Sequence, residues 1–460
     1  MESFALITAL FFLTVTGWSI LSFITIRGND LSIPERLSLS YGIGLGFISL
    51  EMFIFDLLGI PFWTGYLAIP CAVCIVCSGA ASYLTKKTVS SGKALVLRRG
   101  PRRSFGFTVL FAAGIGVEVI YAFFRALIKP LESYDAVAIY GIKAKIFHLA
   151  RSIPGDYFGS LRDIIPHPDY PLNIPLVEAF LFGAMGTLND QLVKMIFPLY
   201  FVGILVLIYC GIRRFADRTY AMIFTFITAS IPQLTSYAAN GYVDIVLSYY
   251  WFAGFLYMFL WFQEKRSSYL IISAIMVGLA GWTKNEGLLY CAVAALLFLT
   301  YLLFQKGRAR LRPAAWFLAY AAIIGALVMP WVLTKRFFHI VNDETGLAGF
   351  DPLALIARVN KIPAILYEFQ KEFFNPKKWN LLWPVVFCSI AFRFRRAFDP
   401  VRKYAGLSII FAIFGYVGVY FASPLEISYL VSKTWSRFLI HFLPVAVYWA
   451  AITMHEDVKA

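Results

Sequence analysis

Charged side chains are scarce in this sequence. Lys, Arg, Asp and Glu make up 15% of its 460 residues, whereas soluble domains carry about 25%. Hydrophobic residues make up 60%, and the mean hydropathy is +0.71. Apolar runs of about 17–25 residues recur along the chain and are long enough to cross a bilayer as helices. A soluble fold is therefore excluded, and so is a β-barrel, whose shorter strands alternate apolar and polar residues.

Other common signals are also missing. The six cysteines are dispersed through apolar runs, so no disulfide framework is visible. Cys71, Cys74 and Cys77 recur at every third position without a nearby His or acidic residue, which favours small packing residues over metal ligands. The sequence contains no P-loop pattern. No basic region or cleavage site accompanies the first apolar run, which indicates a retained span.

Thirteen spans are predicted, and the expected fold is an all-α polytopic membrane protein. Loops rich in Lys and Arg favour the cytoplasmic side. The loop 85–104 contains basic residues and no acidic one, so it is predicted to be cytoplasmic together with the basic loops 265–266, 306–312 and 393–403. The 335–378 connection then lies outside. The predicted spans are 4–25, 38–59, 62–84, 105–128, 194–212, 219–237, 243–262, 269–283, 287–304, 314–334, 379–392, 404–422 and 438–453.

The loop 129–193 falls on the extracytoplasmic side in this topology and is unusually polar. Its segment 173–186 is apolar, but it is short and contains Pro175 and Glu178. If it were a span, the three arginines between positions 213 and 218 would lie outside, against the charge bias. We therefore assign this segment to the outer loop as a re-entrant or interfacial piece.

The first part of the outer loop is predicted to form an interfacial helix over 136–151. Its apolar positions recur at helical spacing, while Lys145, His148 and Arg151 lie on the other side. Asp135 immediately precedes this helix and is either an N-cap or a reactive carboxylate. The predicted apolar face consists of Ile139, Ile142, Ile146 and Leu149.

The next part, 154–171, combines prolines with acidic residues and His167. Such groupings can bind a divalent cation. They are more often hydrogen-bonded loop anchors, so a metal site is a minor alternative. The acidic residues of this segment are Asp156, Asp163 and Asp169.

Four further polar residues are predicted on the same outer face. Asp244 opens a span and is either a helix cap or a site residue. Lys284 and Glu286 meet hydrocarbon almost directly, and Arg437 enters the last span. Ionisable residues so placed usually face a cavity or a partner, although snorkelling to the interface is the alternative for these cations.

With these residues in this order, the chain resembles the GT-C superfamily of polyprenyl-phosphate-sugar-dependent glycosyltransferases. Its nearest relatives in that superfamily are the protein O-mannosyltransferase and lipid A aminoarabinose transferase group. The resemblance covers about 105–444. It rests on Ser133–Tyr134–Asp135, Tyr170–Pro171–Leu172, Pro232 followed by Asp244, the Gly278–Lys284 element and the Arg437–Pro444 element. The chain differs in having Ala136 after Asp135, three additional spans before the resemblance, and no soluble domain after it.

The resemblance implies roles for particular residues. Asp135 would be the general base and Asp244 the second acid, while Lys284 and Arg437 would contact the donor phosphate. It also implies a GT-C-like bundle of about 13 transmembrane helices with interfacial helices in the outer loop. The bundle divides into an N-terminal three-span segment with its basic cytoplasmic loop over 1–104 and a transmembrane catalytic module over 105–460 that contains the outer loop 129–193. Further candidate substrate contacts are Glu132, Tyr134, Lys143, His167, Asp169, Tyr170 and Glu286.

The implied activity is transfer of a sugar from a polyprenyl-phosphate donor to an extracytoplasmic hydroxyl, with inversion, by a multi-pass protein of the plasma (inner) membrane. The acceptor is a lipid, a glycan or a protein, and nucleic acid is not an expected partner. No cofactor is required, although a divalent cation is an alternative. A transporter or flippase of lipid-linked sugars and a glycan polymerase or ligase are the competing functions; the former often shows inverted repeats, which this sequence lacks.

Overall fold

The computed structural model describes residues 1–26, 31–85, 105–305, 311–340, 360, 362–423 and 426–455. The structure is 83% helical, and these ranges contain no strand. Among the described residues, ten helices are long and apolar enough to cross a membrane. The chain is thus an all-α integral membrane protein, as the sequence predicts.

The helices follow one another with short connections. A π-helix spans Asp135–Gly141, and a 3₁₀ turn spans Ser160–Asp163. The α-helices are α1 (Glu2–Ile24), α2 (Ile33–Leu57), α3 (Thr64–Thr85), α4 (Phe105–Ile128), α5 (Ile142–Ala150), α6 (Asn173–Met185), α7 (Asp190–Val193), α8 (Ile196–Arg213), α9 (Arg218–Ala229), α10 (Pro232–Asn240), α11 (Val243–Glu264), α12 (Ser267–Thr283), α13 (Asn285–Leu303), α14 (Leu311–Phe337), α15 (Ile362–Phe373), α16 (Pro376–Trp379), α17 (Leu382–Phe392), α18 (Phe394–Ala397), α19 (Lys403–Ala422) and α20 (Ile427–Met454).

Three of the thirteen predicted spans are not among these ten long apolar helices. The predicted span 219–237 is two helices, α9 and α10, because Pro232 starts a new helix and Ile231 before it is extended. The predicted spans 269–283 and 379–392 correspond to α12 with 17 residues and α17 with 11. The last predicted span, 438–453, is instead the 28-residue helix α20.

Several predicted features lie outside the described residues. They include most of the basic loop 85–104, part of the basic loop 306–312 and much of the 335–378 connection. The described loops at 265–266 and 393–403 follow the ends of α11 and α17. The sidedness of all these loops stays a prediction.

The two ends of the outer loop 129–193 meet at one end of the bundle. The Lys194 ammonium donates hydrogen bonds to the carbonyls of Lys129 and Pro130, at 2.5 and 2.9 Å. The chain therefore leaves α4 and re-enters at α8 on the same side, which agrees with assigning 173–186 to the loop. Within that loop, α6 is buried along nearly its whole length and packs against α1, α2 and α5 rather than lying at the lipid interface.

The predicted buried face of the 136–151 helix is wrong. Ile139 is buried, but Ile142 and Leu149 are exposed. A different side of the helix packs against α6. Its residues also recur three and four positions apart, as they do on one face of a helix. The π-helical turn at its start changes the register of the side chains. The buried residues are Ala136, Ile139, Tyr140, Lys143, Ala144 and Phe147.

A polar cluster forms near the C-terminal end of α11, opposite to the end that carries Asp244. Glu35 is buried there and accepts from the Arg214 guanidinium at 2.7 Å and from the Tyr257 hydroxyl at 2.5 Å. Its other carboxylate oxygen accepts from the Ser32 amide, which completes a capping box at the start of α2. The cluster joins α2, α8 and α11 and fixes that end of the bundle.

The N-terminal helices α1 and α2 approach each other closely at two glycines. A Cβ added at Gly44 would lie 1.9 Å from the Leu13 carbonyl oxygen, and one at Gly17 would lie 1.9 Å from the Ser40 carbonyl oxygen. Small residues allow such backbone contacts between membrane helices. The close contact therefore depends on glycine at both positions.

Gly44→Ala should lower the thermal unfolding temperature in detergent, because overpacking against a backbone costs about 1–3 kcal/mol. Gly116→Ala is the matched control, since an added Cβ there has nothing within 4 Å. Equal unfolding temperatures for Gly44→Ala and the control would contradict the close approach.

Candidate functional site

Four separate parts of the chain bring ionisable side chains together at the outer-loop end of the bundle. Asp135 opens the π-helix, Asp244 lies in the first turn of α11, and Lys284 separates α12 from α13. Arg437 lies in α20. The sequence motifs that contain these residues are therefore adjacent in space.

Asp244 is the centre of this cluster, and its side chain is fully buried. One carboxylate oxygen lies 2.9 Å from the Lys284 ammonium and 2.8 Å from Nε2 of His441. The other oxygen lies 3.0 Å from the Arg437 guanidinium. A buried carboxylate requires such partners because an isolated one is strongly destabilised. We refer to Asp135, Asp244, Lys284, Glu286, Arg437 and His441 as the Asp244 cluster.

The position of Lys284 depends on an abrupt junction between two helices. Lys284 has extended backbone dihedrals between the end of α12 and the start of α13. A Cβ added at Gly287 would lie 1.8 Å from the Ala280 carbonyl oxygen, so only glycine permits this junction. Glu286 follows closely enough for its carboxylate to lie 2.8 Å from the Lys284 ammonium. Lys284 therefore lies between two carboxylates, and its side chain is 1% exposed.

Arg437 joins the two aspartates of the site. Its Nη2 donates to Asp135 at 2.5 Å and to Asp244 at 3.0 Å. The side chains of Arg437 and Asp135 are 20% and 15% exposed. The cluster thus runs from a closed interior at Asp244 to a partly open mouth at Asp135.

A second group of predicted residues lies beside this cluster. The Asp169 carboxylate accepts from Asn285, whose neighbours in sequence are Lys284 and Glu286. The Lys143 ammonium donates to the His167 carbonyl at 2.5 Å, and the rings of His167 and Tyr170 are 4.8 Å apart. Asp169 connects this group to the Asp244 cluster.

Two predicted substrate contacts lie at the surface rather than in these groups. Glu132 pairs with Lys129 at 3.0 Å, and both side chains are well exposed. The side chain of Tyr134 is also largely exposed. No hydrogen bond joins Glu132 or Tyr134 to the Asp244 cluster within the described residues.

The sequence analysis missed His441, Tyr416 and Tyr140. His441 lies inside an apolar run, and its Nδ1 lies 2.8 Å from the Tyr416 hydroxyl. The Tyr140 hydroxyl is buried and has no hydrogen-bond partner in the described part of the chain. Burial raises the pKa of Tyr140 well above its usual value, and the nearby Tyr170 and acidic groups of Glu286, Asp244 and Asp135 raise it further. Tyr140 is thus a neutral hydrogen-bond donor beside the cluster.

The acidic residues and histidines were also considered as metal ligands. Over the described ranges, no group of three or more His, Cys, Asp or Glu side chains has an arrangement that could hold a metal ion. The divalent cation stays an untested alternative.

Comparison with known proteins relates this site to a family. Residues 169–333 match the family model for dolichyl-phosphate-mannose-protein mannosyltransferases. The matched segment contains Asp169, Asp244, Lys284 and Glu286, but not Asp135 or Arg437. The match supports the GT-C glycosyltransferase family that the motifs indicated. No curated protein and no solved structure shows significant similarity to the chain.

Asp244→Asn should destabilise the protein by about 3–5 kcal/mol, because it leaves buried cations without their shared partner. Asp190→Asn removes the partly exposed carboxylate that pairs with Lys145, and it should cost less than about 1 kcal/mol. Thermal unfolding in detergent measures both variants. Similar losses in the two would show that Asp244 does not hold the cluster together.

The pH dependence of the protein's stability should reflect the titration of Lys143. Burial lowers the pKa of Lys143 to about 7, although the Asp169 charge opposes this shift, and an unfolded lysine titrates near pKa ~10.4. Between these values the unfolded chain binds more protons, so stability rises with pH. The unfolding temperature of the wild type relative to Lys143→Met should therefore rise from about pH 7 to pH 10, whereas a constant difference would contradict a neutral Lys143.

Proposed function

Because the match over residues 169–333 supports a membrane glycosyltransferase of the GT-C type, we propose that this chain transfers a sugar from a polyprenyl-phosphate donor to an extracytoplasmic hydroxyl, with inversion. The observation that carries the proposal is the meeting of Asp135 and Asp244 at Arg437. The Asp135 carboxylate is partly exposed and has Arg437 as its ion-pair partner, whereas Asp244 is buried and engaged through both oxygens. The first arrangement suits a general base, and the second suits a fixed charge anchor.

Asp135 is the better candidate for the base. Asp244 is buried, and both of its oxygens already accept from cations or from His441. Asp135 lies at the partly open mouth, and Arg437 is its ion-pair partner. A general base must come within hydrogen-bond reach of the hydroxyl that it deprotonates. An acceptor can approach Asp135 but not Asp244.

Arg437 is the proposed contact for the donor phosphate. It is partly exposed, and its buried Nε has no hydrogen-bond partner among the described residues. Guanidinium groups bind phosphate through parallel N–H donors. Lys284 is enclosed by Asp244 and Glu286. It therefore supplies positive charge to the site without touching the phosphate, and a direct contact would require it to give up one of these two ion pairs.

The shared guanidinium couples the two substrates. When the donor phosphate binds Arg437, it competes with Asp135 for the same N–H group, and the Asp135 carboxylate becomes available to the acceptor. The acceptor oxygen then bonds to the anomeric carbon as its proton passes to Asp135. The bond from that carbon to the phosphate oxygen breaks, and its electron pair leaves on polyprenyl phosphate. Fixed cations stabilise the charge that develops there.

The expected position of the donor lipid in the membrane is consistent with a donor site at the Asp244 cluster. The donor tail is apolar and remains among the spans, while the polar head reaches the Asp244 cluster near the outer-loop end of the bundle. We place this end on the extracytoplasmic side of the plasma (inner) membrane from the positive charge of the opposite loops. The proposed module comprises residues 105–460, and the acceptor is a protein, a lipid or a glycan.

Asp135→Asn should lower the rate of sugar transfer by at least about 10²-fold, because general-base catalysis contributes about 10²–10⁴-fold. The assay uses purified protein, a polyprenyl monophosphate carrying one labelled sugar, and envelope extract as the acceptor. Glu132→Gln is the matched control, since it removes a nearby exposed acid, and it should retain the wild-type rate.

The unfolding temperatures of both variants should stay close to that of the wild type, which separates loss of chemistry from loss of fold. Wild-type transfer by Asp135→Asn would remove Asp135 from the mechanism. Movement of the labelled lipid across proteoliposomes without formation of a new glycosidic bond would instead favour the transporter.

A further inference from the structure

A cavity of about 280 Å³ lies between the α2–α3 hairpin and the outer-loop helices α5 and α6. None of its lining residues belongs to the Asp244 cluster. Met52, Leu67 and Phe180 contribute apolar walls, whereas His148 and Arg151 contribute polar groups. The cavity is therefore amphipathic, and part of it comes from α2 and α3, which precede the proposed catalytic module.

Arg151 presents a ready set of donors at this cavity. Its guanidinium lies 3.4 Å from the centroid of the Trp63 ring. Stacking uses the flat face of the guanidinium and leaves the N–H groups at its edge available. Over the described ranges, the Arg151 side chain has neither an acidic partner nor a hydrogen bond. Its charge and its donors are thus uncommitted.

The backbone around Arg151 is fixed in an uncommon conformation. Arg151 has a φ of 55°, in the left-handed region where a helix usually ends with glycine. Its carbonyl accepts from the Phe62 amide at 2.7 Å, and the Ile153 amide donates to Asp56 at 2.7 Å. These two bonds attach the segment to the α2–α3 turn and hold the guanidinium at the cavity.

The surroundings point to a lipid rather than a soluble anion. Trp63 is about half exposed, as aromatic residues at a membrane interface commonly are. Below it, one side of α3 presents apolar side chains along its length, consistent with acyl chains lying there. The cavity is large enough for a headgroup but smaller than most sites for whole ligands. The exposed residues on that side are Tyr66, Ile69, Val73 and Val76.

We propose that this cavity binds the phosphate headgroup of an anionic phospholipid, with Arg151 as the phosphate ligand and the acyl chains against α3. This site is separate from the donor site at Arg437, because it is built from α2, α3, α5 and α6. Gly183 contributes the space for the headgroup. A Cβ there would meet Thr64 and His148 only at ordinary contact distances of 3.6 and 3.8 Å, so a larger side chain can enter the cavity.

The experiment measures lipid binding to the full chain in detergent by native mass spectrometry. Phosphatidylglycerol and phosphatidylcholine with identical acyl chains are titrated separately. The wild type should bind phosphatidylglycerol at least tenfold more tightly than phosphatidylcholine. Arg151→Gln should remove this preference, and Gly183→Leu should weaken phosphatidylglycerol binding to a similar extent by filling the cavity.

Arg336→Gln is the charge-matched control, because Arg336 is an exposed arginine near the end of α14 and does not line the cavity. It should bind phosphatidylglycerol like the wild type. Unfolding temperatures without added lipid establish that each variant is folded. Unchanged binding by folded Arg151→Gln, equal binding of the two lipids by the wild type, or displacement of phosphatidylglycerol by equimolar glycerol phosphate would each overturn the proposal.

Discussion

The buried carboxylate of Asp244 is the constraint on which the outer-loop end of this protein depends. A charge removed from water is tolerated only when opposite charges and hydrogen bonds replace its hydration. Lys284, Arg437 and His441 supply that replacement, and each comes from a different position along the chain. Satisfying one side chain therefore fixes the junction of α12 with α13 and the position of α20 against α11.

The same network is graded from closed to open, and the proposed function assigns different roles to its two ends. Asp244 is enclosed, whereas Asp135 at the other side of Arg437 is partly exposed. Unpaired buried atoms on Tyr140, Asn285, Glu286 and Arg437 surround this region in the described structure. Such unsatisfied groups are costly when nothing binds them. A polar ligand that supplies hydrogen-bond partners would relieve this cost.

The sequence predicts most of the helices because membrane spans need long apolar runs, and it predicts five members of the Asp244 cluster because charges beside or within such runs are conspicuous. These five are Asp135, Asp244, Lys284, Glu286 and Arg437. His441 does not, since one histidine in an apolar helix is indistinguishable from a packing residue. Tyr140 was missed because the buried face of 136–151 depends on α6 and on a π-helical turn, neither of which periodicity reveals. The sequence signals the helix break at Ile231 through Pro232. The prediction missed it because hydropathy averaged over the whole segment indicates one continuous span.

The spacing of the Asp244 partners along the chain has a consequence for biosynthesis. Lys284 follows Asp244 by 40 residues, but Arg437 and His441 follow it by 193 and 197. At about 5–20 residues per second, a ribosome needs roughly 10–40 seconds to reach them. During that interval the nascent α11 carries a carboxylate whose first available counter-ion is Lys284. Until α20 is translated, the Lys284 junction between α12 and α13 is therefore the part of the Asp244 cluster that can neutralise this carboxylate.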